Sequence, residues 1–484
     1  MQAIARFTRI ISASLAKTKF GLLAFAVTFG VRALPEILAW PYAIGYDTIG
    51  SYIPFMLDWG SGNYATFTPS TGGWLLYSIL GLAYSFARID PILIAKTTGP
   101  LLYGLLGLSE YYFASRGLQW SSGKSLLPVI VGSFYFVSLR LSLDLFRNTL
   151  GLSLLLVSLT LSLDIKSRVR LVTFALVAWL TTIAHLLAAT ILIGIVFLVM
   201  LRIQKQRRWR MIGLLPCLLQ YGLSLFSYQS NGTPLFSAPN SSINPLIAYA
   251  FPLYIFGPLL PIAIIGVIKT GNLILKAWVV VCIAGIALTI TPVSTSFQLV
   301  MADRWSLMLM IPLLIYSTEG LSILLKKEVP RVRPRLILPF AWLGLLVLLG
   351  TAYIALPAES SFQYYQYFTP TSMLQSTVSI TDSSHVVAAL QWLSTNLKTD
   401  SVLMTHHAFY GWARAYFHSN TPIVGYDPST TLVMATQLTQ RLGYASIYTI
   451  WWTNGHGWYG QPSVPSGFSL QFASGNIGVF LYVG

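Results

Sequence analysis

The residues of this sequence that could do chemistry are charged side chains close to long apolar runs. Asp47 stands between Gly45 and Gly50 in "PYAIGYDTIGSY", directly after the first such run. A carboxylate placed there can accept a proton from an incoming hydroxyl or amide group. The sequence therefore predicts a general base at Asp47, with Tyr46 beside it as a supporting side chain.

Three arginines are candidate ligands for a phosphate group. Arg140 and Arg147 are seven residues apart in "LRLSLDLFRN", so they would share one face of a continuous helix. Asp144 has helical spacing to both and could pair with either. Arg304 in "ADRWS" is the third candidate. Guanidinium groups bind phosphate through two parallel donors, so the set would suit a phosphate with a long apolar tail lying among helices.

Further ionisable residues fall near the same ends of the apolar runs, namely Arg88, Asp90 and His185. Placing one charged group at membrane depth costs on the order of 2.5–3.5 kcal/mol. We therefore expect the whole set to line a polar cavity and to supply supporting or acceptor-binding side chains. The alternative interpretation is that each charge lies in headgroup water as an ordinary interfacial residue.

The composition predicts a membrane protein. Of the 484 residues, 55% are hydrophobic and 9% are charged, whereas about 25% of a soluble domain is charged. The net charge of +16 does not indicate a nucleic-acid partner, because the basic residues form short clusters between apolar runs. Such clusters are typical of signals that orient a membrane protein.

Apolar runs predict a polytopic α-helical protein with about eleven transmembrane helices. The segment 73–86, "GWLLYSILGLAYSF", is too short for a full crossing and predicts a helix at the membrane interface. With the N-terminus in the cytoplasm, most of the 30 basic residues fall in cytoplasmic segments. This topology places the C-terminus outside the cytoplasm.

We expect two domains, a transmembrane domain over 1–356, with a first outer loop at 41–90, and a small extracytoplasmic α/β domain over 357–484. The second domain is predicted from a helix-like stretch, "SSHVVAALQWLSTNL", and from short apolar runs typical of strands. These runs are "SVLMT", "TPIVGY", "SIYTIWW" and "IGVFLYV".

Three stretches together resemble the GT-C superfamily of membrane glycosyltransferases: "PYAIGYDTIGSY", "RLSLDLFRNTLGL" and "DRWSLMLMIPLLIYSTEGL". This superfamily includes protein O-mannosyltransferase-like, aminoarabinose transferase-like and oligosaccharyltransferase-like enzymes. The resemblance implies a sugar donor linked to a polyprenyl phosphate or diphosphate in the membrane lipid. It also implies inverting transfer on the outer face to a protein or glycan acceptor, as in protein glycosylation at the cell envelope. Asp47 would be the catalytic residue, and Arg147 or Arg304 would contact the phosphate.

A weaker resemblance covers the start of the C-terminal domain, where "HHAFYG" matches the acceptor-reading motif of oligosaccharyltransferases only at Tyr410 and Gly411. One branch of the superfamily requires a divalent cation and another does not. The resemblance therefore leaves open a Mg²⁺ or Mn²⁺ ion held by Asp47 and Asp144.

Two rival functions would use the same residues differently. A lipid or sugar transporter or flippase would need alternating access, usually with repeats in corresponding halves, and no internal repeat is visible in the sequence. A non-catalytic membrane scaffold subunit would tolerate the loss of Asp47 and Arg304 together.

Overall fold

The computed structural model describes residues 2–64, 73–230, 245–290, 302–326, 334–355, 376, 378–398, 400–417, 421–426, 431–453 and 467–482. The chain divides into two compact units. The helical unit consists of Met1–Leu34, Phe67–Ile79 and Thr97–Ile354, and the mixed unit of Pro35–Thr66, Leu80–Lys96 and Ala355–Gly484. The division into domains 1–356 and 357–484 stays a prediction.

Helices make up most of the described chain. In chain order they are α1 (Gln2–Leu38), α2 (Ile53–Gly60), α3 (Trp74–Ala87), α4 (Pro91–Tyr112), α5 (Ser122–Ser133), α6 (Phe136–Asp144), α7 (Phe146–Ser162), α8 (Arg168–Ala184), α9 (Leu186–Arg202), α10 (Arg207–Ser230), α11 (Pro245–Phe256), α12 (Leu260–Lys269), α13 (Leu273–Ile290), α14 (Ala302–Met308), α15 (Met310–Lys326), α16 (Pro334–Ala355), α17 (Ser383–Asn396), α18 (His407–Tyr416) and α19 (Thr431–Leu442). In the described residues, a π-helical turn at Thr48–Tyr52 precedes α2 and another at Phe113–Gly117 follows α4.

Several helices have the length and apolarity of membrane spans, so this is an integral membrane protein. Among the described residues, three stretches could each cross a bilayer: Thr18–Leu38, Pro91–Gly117 and Asp303–Leu325. Two bent pairs would raise the number of spans to five: α5 with α6, at 72°, and Ala250–Phe256 with α12, at 96°. The expected count of eleven stays a prediction. Helix α3 is 14 residues long and covers the segment expected to be a short helix.

Close backbone contact joins α12 and α15 in the helical unit. A Cβ atom on Gly266 would lie 2.0 Å from the carbonyl oxygen of Tyr316, and one on Gly320 would lie 2.1 Å from that of Ile262. Two glycines facing the partner backbone let the helices approach at van der Waals distance, which is how small residues act in membrane helix pairs.

A five-stranded sheet lies in the mixed unit. Its strands are β1 (Ser401–His406), β2 (Ile423–Tyr426), β3 (Ser446–Trp452), β4 (Phe468–Ser474) and β5 (Ile477–Tyr482), in the order β2-β1-β3-β5-β4. β1 pairs in parallel with β2 and β3, while β5 is antiparallel to β3 and β4. β1 and β3 are buried along their whole length, as expected of central strands covered on both faces.

The α/β character of the C-terminal part is confirmed, because the four apolar runs named above form β1, β2, β3 and β5, and the helix-like stretch forms α17. Strand β4 was missed. Its sequence "FSLQFAS" mixes half-buried and exposed side chains and includes Ser and Gln, so it lacks the continuous apolar run that marks the other strands.

We predict that Gly320→Ala lowers the midpoint of thermal unfolding in detergent, because the new methyl group would overlap the Ile262 carbonyl. Overpacking of this kind costs about 1–3 kcal/mol. The matched control is Gly222→Ala in α10, where a Cβ atom would meet nothing within 4 Å and alanine favours the helix by about 1 kcal/mol. Equal midpoints for the two variants would contradict the close α12–α15 contact.

Candidate functional site

The junction between α6 and α7 fixes the first part of the site. Leu145 has φ −83° and ψ 54°, outside the helical region, so the helix ends at Asp144 and restarts at Phe146. The Arg32 side chain donates to the carbonyl oxygens of Ser142 at 2.9 Å and Leu143 at 3.1 Å. These bonds satisfy carbonyls that the end of α6 leaves without a helical partner.

This break corrects one expectation. Arg140 lies on α6 and Arg147 on α7, so the prediction that they share a face of one continuous helix is wrong. Arg140 instead forms a buried ion pair with Asp144, four residues further along α6. Asp144 thus pairs with the first of its two possible partners. A phosphate-binding role for Arg140 stays a prediction.

Arg147 and His185 approach each other where α7 meets the break between α8 and α9. Arg147 lies in the first turn of α7, and its guanidinium group stands 5.4 Å from the centre of the Tyr77 ring. A Cβ atom on Gly73, whose φ is +75°, would lie 3.1 Å from Arg147 Nη1 and 3.8 Å from the Ala184 carbonyl oxygen. Glycine at position 73 therefore leaves room for the arginine beside the end of α8.

His185 separates α8 from α9, and its backbone is extended, with φ −163° and ψ 115°. A Cβ atom on Gly151 of α7 would lie 2.6 Å from His185 Cβ, so the histidine packs directly on α7. Arg147 and Arg304 both lie within electrostatic range of the His185 ring. The structure thus brings these three predicted residues together, and we call them the arginine cluster.

Arg304 is held in place through its neighbour in α14. Trp305 is buried, and its ring lies so close to Gly285 of α13 that a Cβ atom there would be 2.2 Å from it. Trp278 Nε1 of α13 donates to the carbonyl oxygen of Met308 at 3.1 Å, at the end of α14. Two contacts therefore fix this seven-residue helix against α13.

The arginine cluster and its chain neighbours contain buried polar atoms with no hydrogen-bond partner among the described residues. They are Arg304 Nη1, His185 Nδ1, Asn148 Nδ2 and Asp303 Oδ2. Leaving one such group unsatisfied costs about 1–3 kcal/mol. Three of the four are nitrogen atoms, so a ligand rich in acceptor oxygens would satisfy most of them.

Sequence reasoning missed Asn148 and Tyr77. Asn148 follows Arg147 in "FRN", a polar pair at the start of an apolar helix, which is a visible signal. Tyr77 gives no such signal, because one aromatic residue in the apolar helix α3 resembles its neighbours.

Asp47 and Tyr46 lie in the mixed unit, at the start of the helical stretch 46–60. Gly45 precedes this stretch with φ 104°, and its carbonyl oxygen accepts from Ile49 N at 3.1 Å. Asp47 is therefore in the first turn of a helix and not in a loop between two glycines. Both predicted side chains are half-buried.

Helix α18 packs against this stretch within the mixed unit. A Cβ atom on Gly411 would lie 2.1 Å from the Ile49 carbonyl oxygen, and Arg414 Nη2 pairs with Asp58 Oδ1 at 2.5 Å. Burial lowers the pKa of Arg414. The hydrogen bonds to Tyr410 and Asp58 raise this pKa by more than burial lowers it, so the net shift is upward and the group stays charged. Gly411, one of the two residues that match the oligosaccharyltransferase motif, thus lets the backbone of α18 pack against the backbone at Ile49.

Arg88 and Asp90 flank the turn between α3 and α4, also in the mixed unit. Arg88 is exposed and has φ 50°. Asp90 is exposed too, and its Oδ1 accepts from Ile92 N at 2.8 Å. The carboxylate therefore caps the first turn of α4, as acidic side chains commonly do.

The described residues do not fit a divalent-cation site. Asp144 is engaged by Arg140, and no group of three or more His, Cys, Asp or Glu side chains suited to a metal comes together in the described part of the chain. Protein sites for Mg²⁺ rely on carboxylate and other oxygen ligands. We therefore derive no step through a cation at Asp47 and Asp144.

The helical architecture with its small C-terminal sheet is similar to the GT-C fold, which confirms the resemblance at the level of the fold. A crystal structure of ArnT from Cupriavidus metallidurans bound to undecaprenyl phosphate matches over 96% of this chain and 98% of its own. The TM-score is 0.51 and the sequence identity is 11%. No family model and no curated protein matches the chain.

We predict that Gly411→Ala loosens the stretch that carries Asp47, because the methyl group would overlap the Ile49 carbonyl. Hydrogen exchange of the amides at 47–60 should become faster, although alanine alone favours helix α18 by about 0.5–1 kcal/mol.

The control for this prediction is Gly425→Ala in β2, where the nearest atom to a Cβ would be 3.9 Å away. This variant should leave exchange at 47–60 as in the unmodified protein. Unchanged protection in Gly411→Ala would show that α18 does not hold the stretch.

Proposed function

We propose that the protein is an integral-membrane glycosyltransferase. It moves a sugar from a polyprenyl-phosphate-linked donor to a protein or glycan acceptor, with inversion, on the outer side of the membrane. The observation that carries this proposal is the arginine cluster, with its buried unpartnered nitrogen atoms, within a GT-C-like fold. The ligand named with the ArnT structure, undecaprenyl phosphate, supports the choice of donor class.

In the proposed reaction the donor phosphate lies against Arg147 and Arg304. The bond between the anomeric carbon and the phosphate oxygen breaks, and the arginines stabilise the charge that returns to the phosphate. The acceptor oxygen or nitrogen forms the new bond from the opposite face of the sugar and transfers its proton to Asp47. Attack from that face inverts the anomeric configuration.

His185 and Asn148 have supporting roles in this proposal. Each side chain contributes a buried nitrogen that has no partner among the described residues, and each can bond a phosphate oxygen. Asn148 also lies in the first turn of α7, where the helix dipole favours a negative charge. The phosphate would therefore receive donors from α7, α14 and the break between α8 and α9.

The proposed topology has about eleven spans, a cytoplasmic N-terminus and an extracytoplasmic domain over 357–484. The clusters of basic residues between apolar runs support this orientation. The reaction would then take place on the side of the membrane where the first outer loop, 41–90, and the C-terminal domain lie.

We predict that Arg304→Gln and Arg147→Gln each weaken binding of undecaprenyl phosphate to the purified protein. A hydrogen bond to a charged group contributes about 1.5–3 kcal/mol, so the dissociation constant should rise roughly 10- to 100-fold. Arg168→Gln, an exposed residue at the start of α8, serves as the charge-matched control and should bind as the unmodified protein does. Equal affinities for undecaprenyl phosphate in all three variants would show that Arg147 and Arg304 do not bind the phosphate.

We predict that Asp47→Asn lowers sugar transfer by about 10²–10⁴-fold, the usual contribution of a positioned base. Binding of undecaprenyl phosphate should stay within about twofold of the unmodified protein, since the variant leaves the arginines untouched. The assay uses purified protein in liposomes with a polyprenyl-phosphate hexose.

The same assay separates the rival functions. Movement of the lipid across the bilayer without transfer would identify a flippase, and neither activity would favour a scaffold. Transfer by Asp47→Asn at the unmodified rate would exclude Asp47 as the base.

A further inference from the structure

A cleft of about 480 Å³ lies in the mixed unit, between the end of α2 and the second half of α3. Its lining includes three aromatic rings and two charged side chains: Trp59, Tyr64, Tyr84, Arg88 and Asp90. The volume is within the range of sites for small molecules, and aromatic walls with a few polar groups are typical of such sites.

Two of the aromatic rings are held in place because each packs on a glycine of the other helix. The Trp59 ring of α2 lies over Gly81 of α3, where a Cβ atom would be 2.6 Å from it. The Tyr84 ring of α3 lies over Gly60 of α2, where a Cβ atom would be 2.4 Å away. Trp59 Nε1 also donates to Ser85 Oγ at 3.1 Å. Two walls of the cleft are thus held in place before any ligand enters, which lowers the entropy lost on binding.

The third ring extends the wall made by Trp59. Tyr64 meets Trp59 edge to face, with ring centres 5.0 Å apart and planes at 82°. Its side chain is 54% exposed, so much of the Tyr64 ring remains accessible to a ligand. Aromatic faces carry partial negative charge and attract the partly positive hydrogens of C–H groups.

The charged side chains are of opposite sign and lie two residues apart in the chain. Arg88 follows the end of α3, and Asp90 is held by its bond to Ile92 N. A free anion would be attracted by the Arg88 guanidinium but repelled by the Asp90 carboxylate. A ligand with several hydroxyl groups can accept from the guanidinium and donate to the carboxylate at the same time.

The face of α3 opposite Tyr84 is apolar and exposed. Ile79, Leu82 and Phe86 follow one another at helical spacing and are 48%, 48% and 84% exposed. Tyr84, which lines the cleft, falls on the other side of the helix. If the apolar face lies on a bilayer surface, as expected for an interfacial helix, the cleft faces away from the lipid.

From these observations we propose that the cleft binds a pyranose ring of the acceptor. The C–H face of the sugar packs on Trp59, Tyr84 and Tyr64, and its hydroxyl groups bond Arg88 and Asp90. The assignment to an acceptor glycan, in place of a protein side chain, rests on the proposed glycosyltransferase function. The sugar binding itself rests only on the cleft.

The test measures binding of methyl glycosides of glucose, galactose, mannose and N-acetylglucosamine to the full-length protein in detergent. Saturation-transfer NMR titrations would give the dissociation constants, with inorganic phosphate as the comparison ligand. Arg88→Gln and Tyr64→Ala change the cleft, and neither residue is buried. Leu82→Ala, on the opposite face of α3, is the matched control.

We expect at least one glycoside to bind more tightly than phosphate. Each cleft variant should weaken that binding about fivefold or more, the equivalent of about 1 kcal/mol, while Leu82→Ala stays within about twofold. Tighter binding of phosphate, or equal glycoside affinity in all variants, would overturn the proposal.

The outcomes also separate this proposal from the proposed function. Sugar transfer that proceeds without any glycoside binding at the cleft would refute the acceptor site alone. Glycoside binding that depends on Arg88, in a protein that transfers no sugar from any polyprenyl-phosphate donor, would refute the glycosyltransferase function alone.

Discussion

The structure depends on one electrostatic constraint, which is that buried positive groups in an apolar protein need acceptors. Arg32 meets this need inside the protein by bonding the last carbonyls of α6, and Arg140 meets it by pairing with Asp144. Arg304 and His185 each keep a buried nitrogen that no described residue satisfies. Buried donors left unsatisfied are costly, and a bound ligand with acceptor oxygens would remove that cost at Arg304 and His185.

The contacts of Arg32 help to position the start of α7. Arg32 stabilises the end of α6, and after the break at Leu145 the new helix begins at Phe146, one residue before Arg147. Glycines then allow close packing around the arginine cluster. The Arg147 side chain packs on Gly73, His185 packs on Gly151, and the ring of Trp305 packs on Gly285. In the mixed unit, Gly411 brings the backbone of α18 against the stretch that begins with Tyr46 and Asp47.

Much of the fold could be predicted from composition and pattern, since apolar runs and short strand-like segments reflect local physics. The α/β character of the C-terminal part, the short helix α3 and the GT-C-like fold were predicted in this way. The break after Asp144 was not, because "LRLSLDLFRN" contains no proline or glycine and the Arg32 contacts that stabilise it come from more than 100 residues away. Likewise, no spacing rule could pair Trp59 with Gly81 or Tyr84 with Gly60, because these contacts exist only after α2 and α3 pack.

The central claim is that the arginine cluster binds the phosphate of a polyprenyl lipid. An electron cryomicroscopy structure of the protein with undecaprenyl phosphate tests it most directly. The account predicts the phosphate oxygens within about 3 Å of Arg304 Nη1 and of the Arg147 guanidinium, with the polyprenyl chain among the helices. A phosphate bound elsewhere, with Arg304 and His185 satisfied by protein groups, would contradict it.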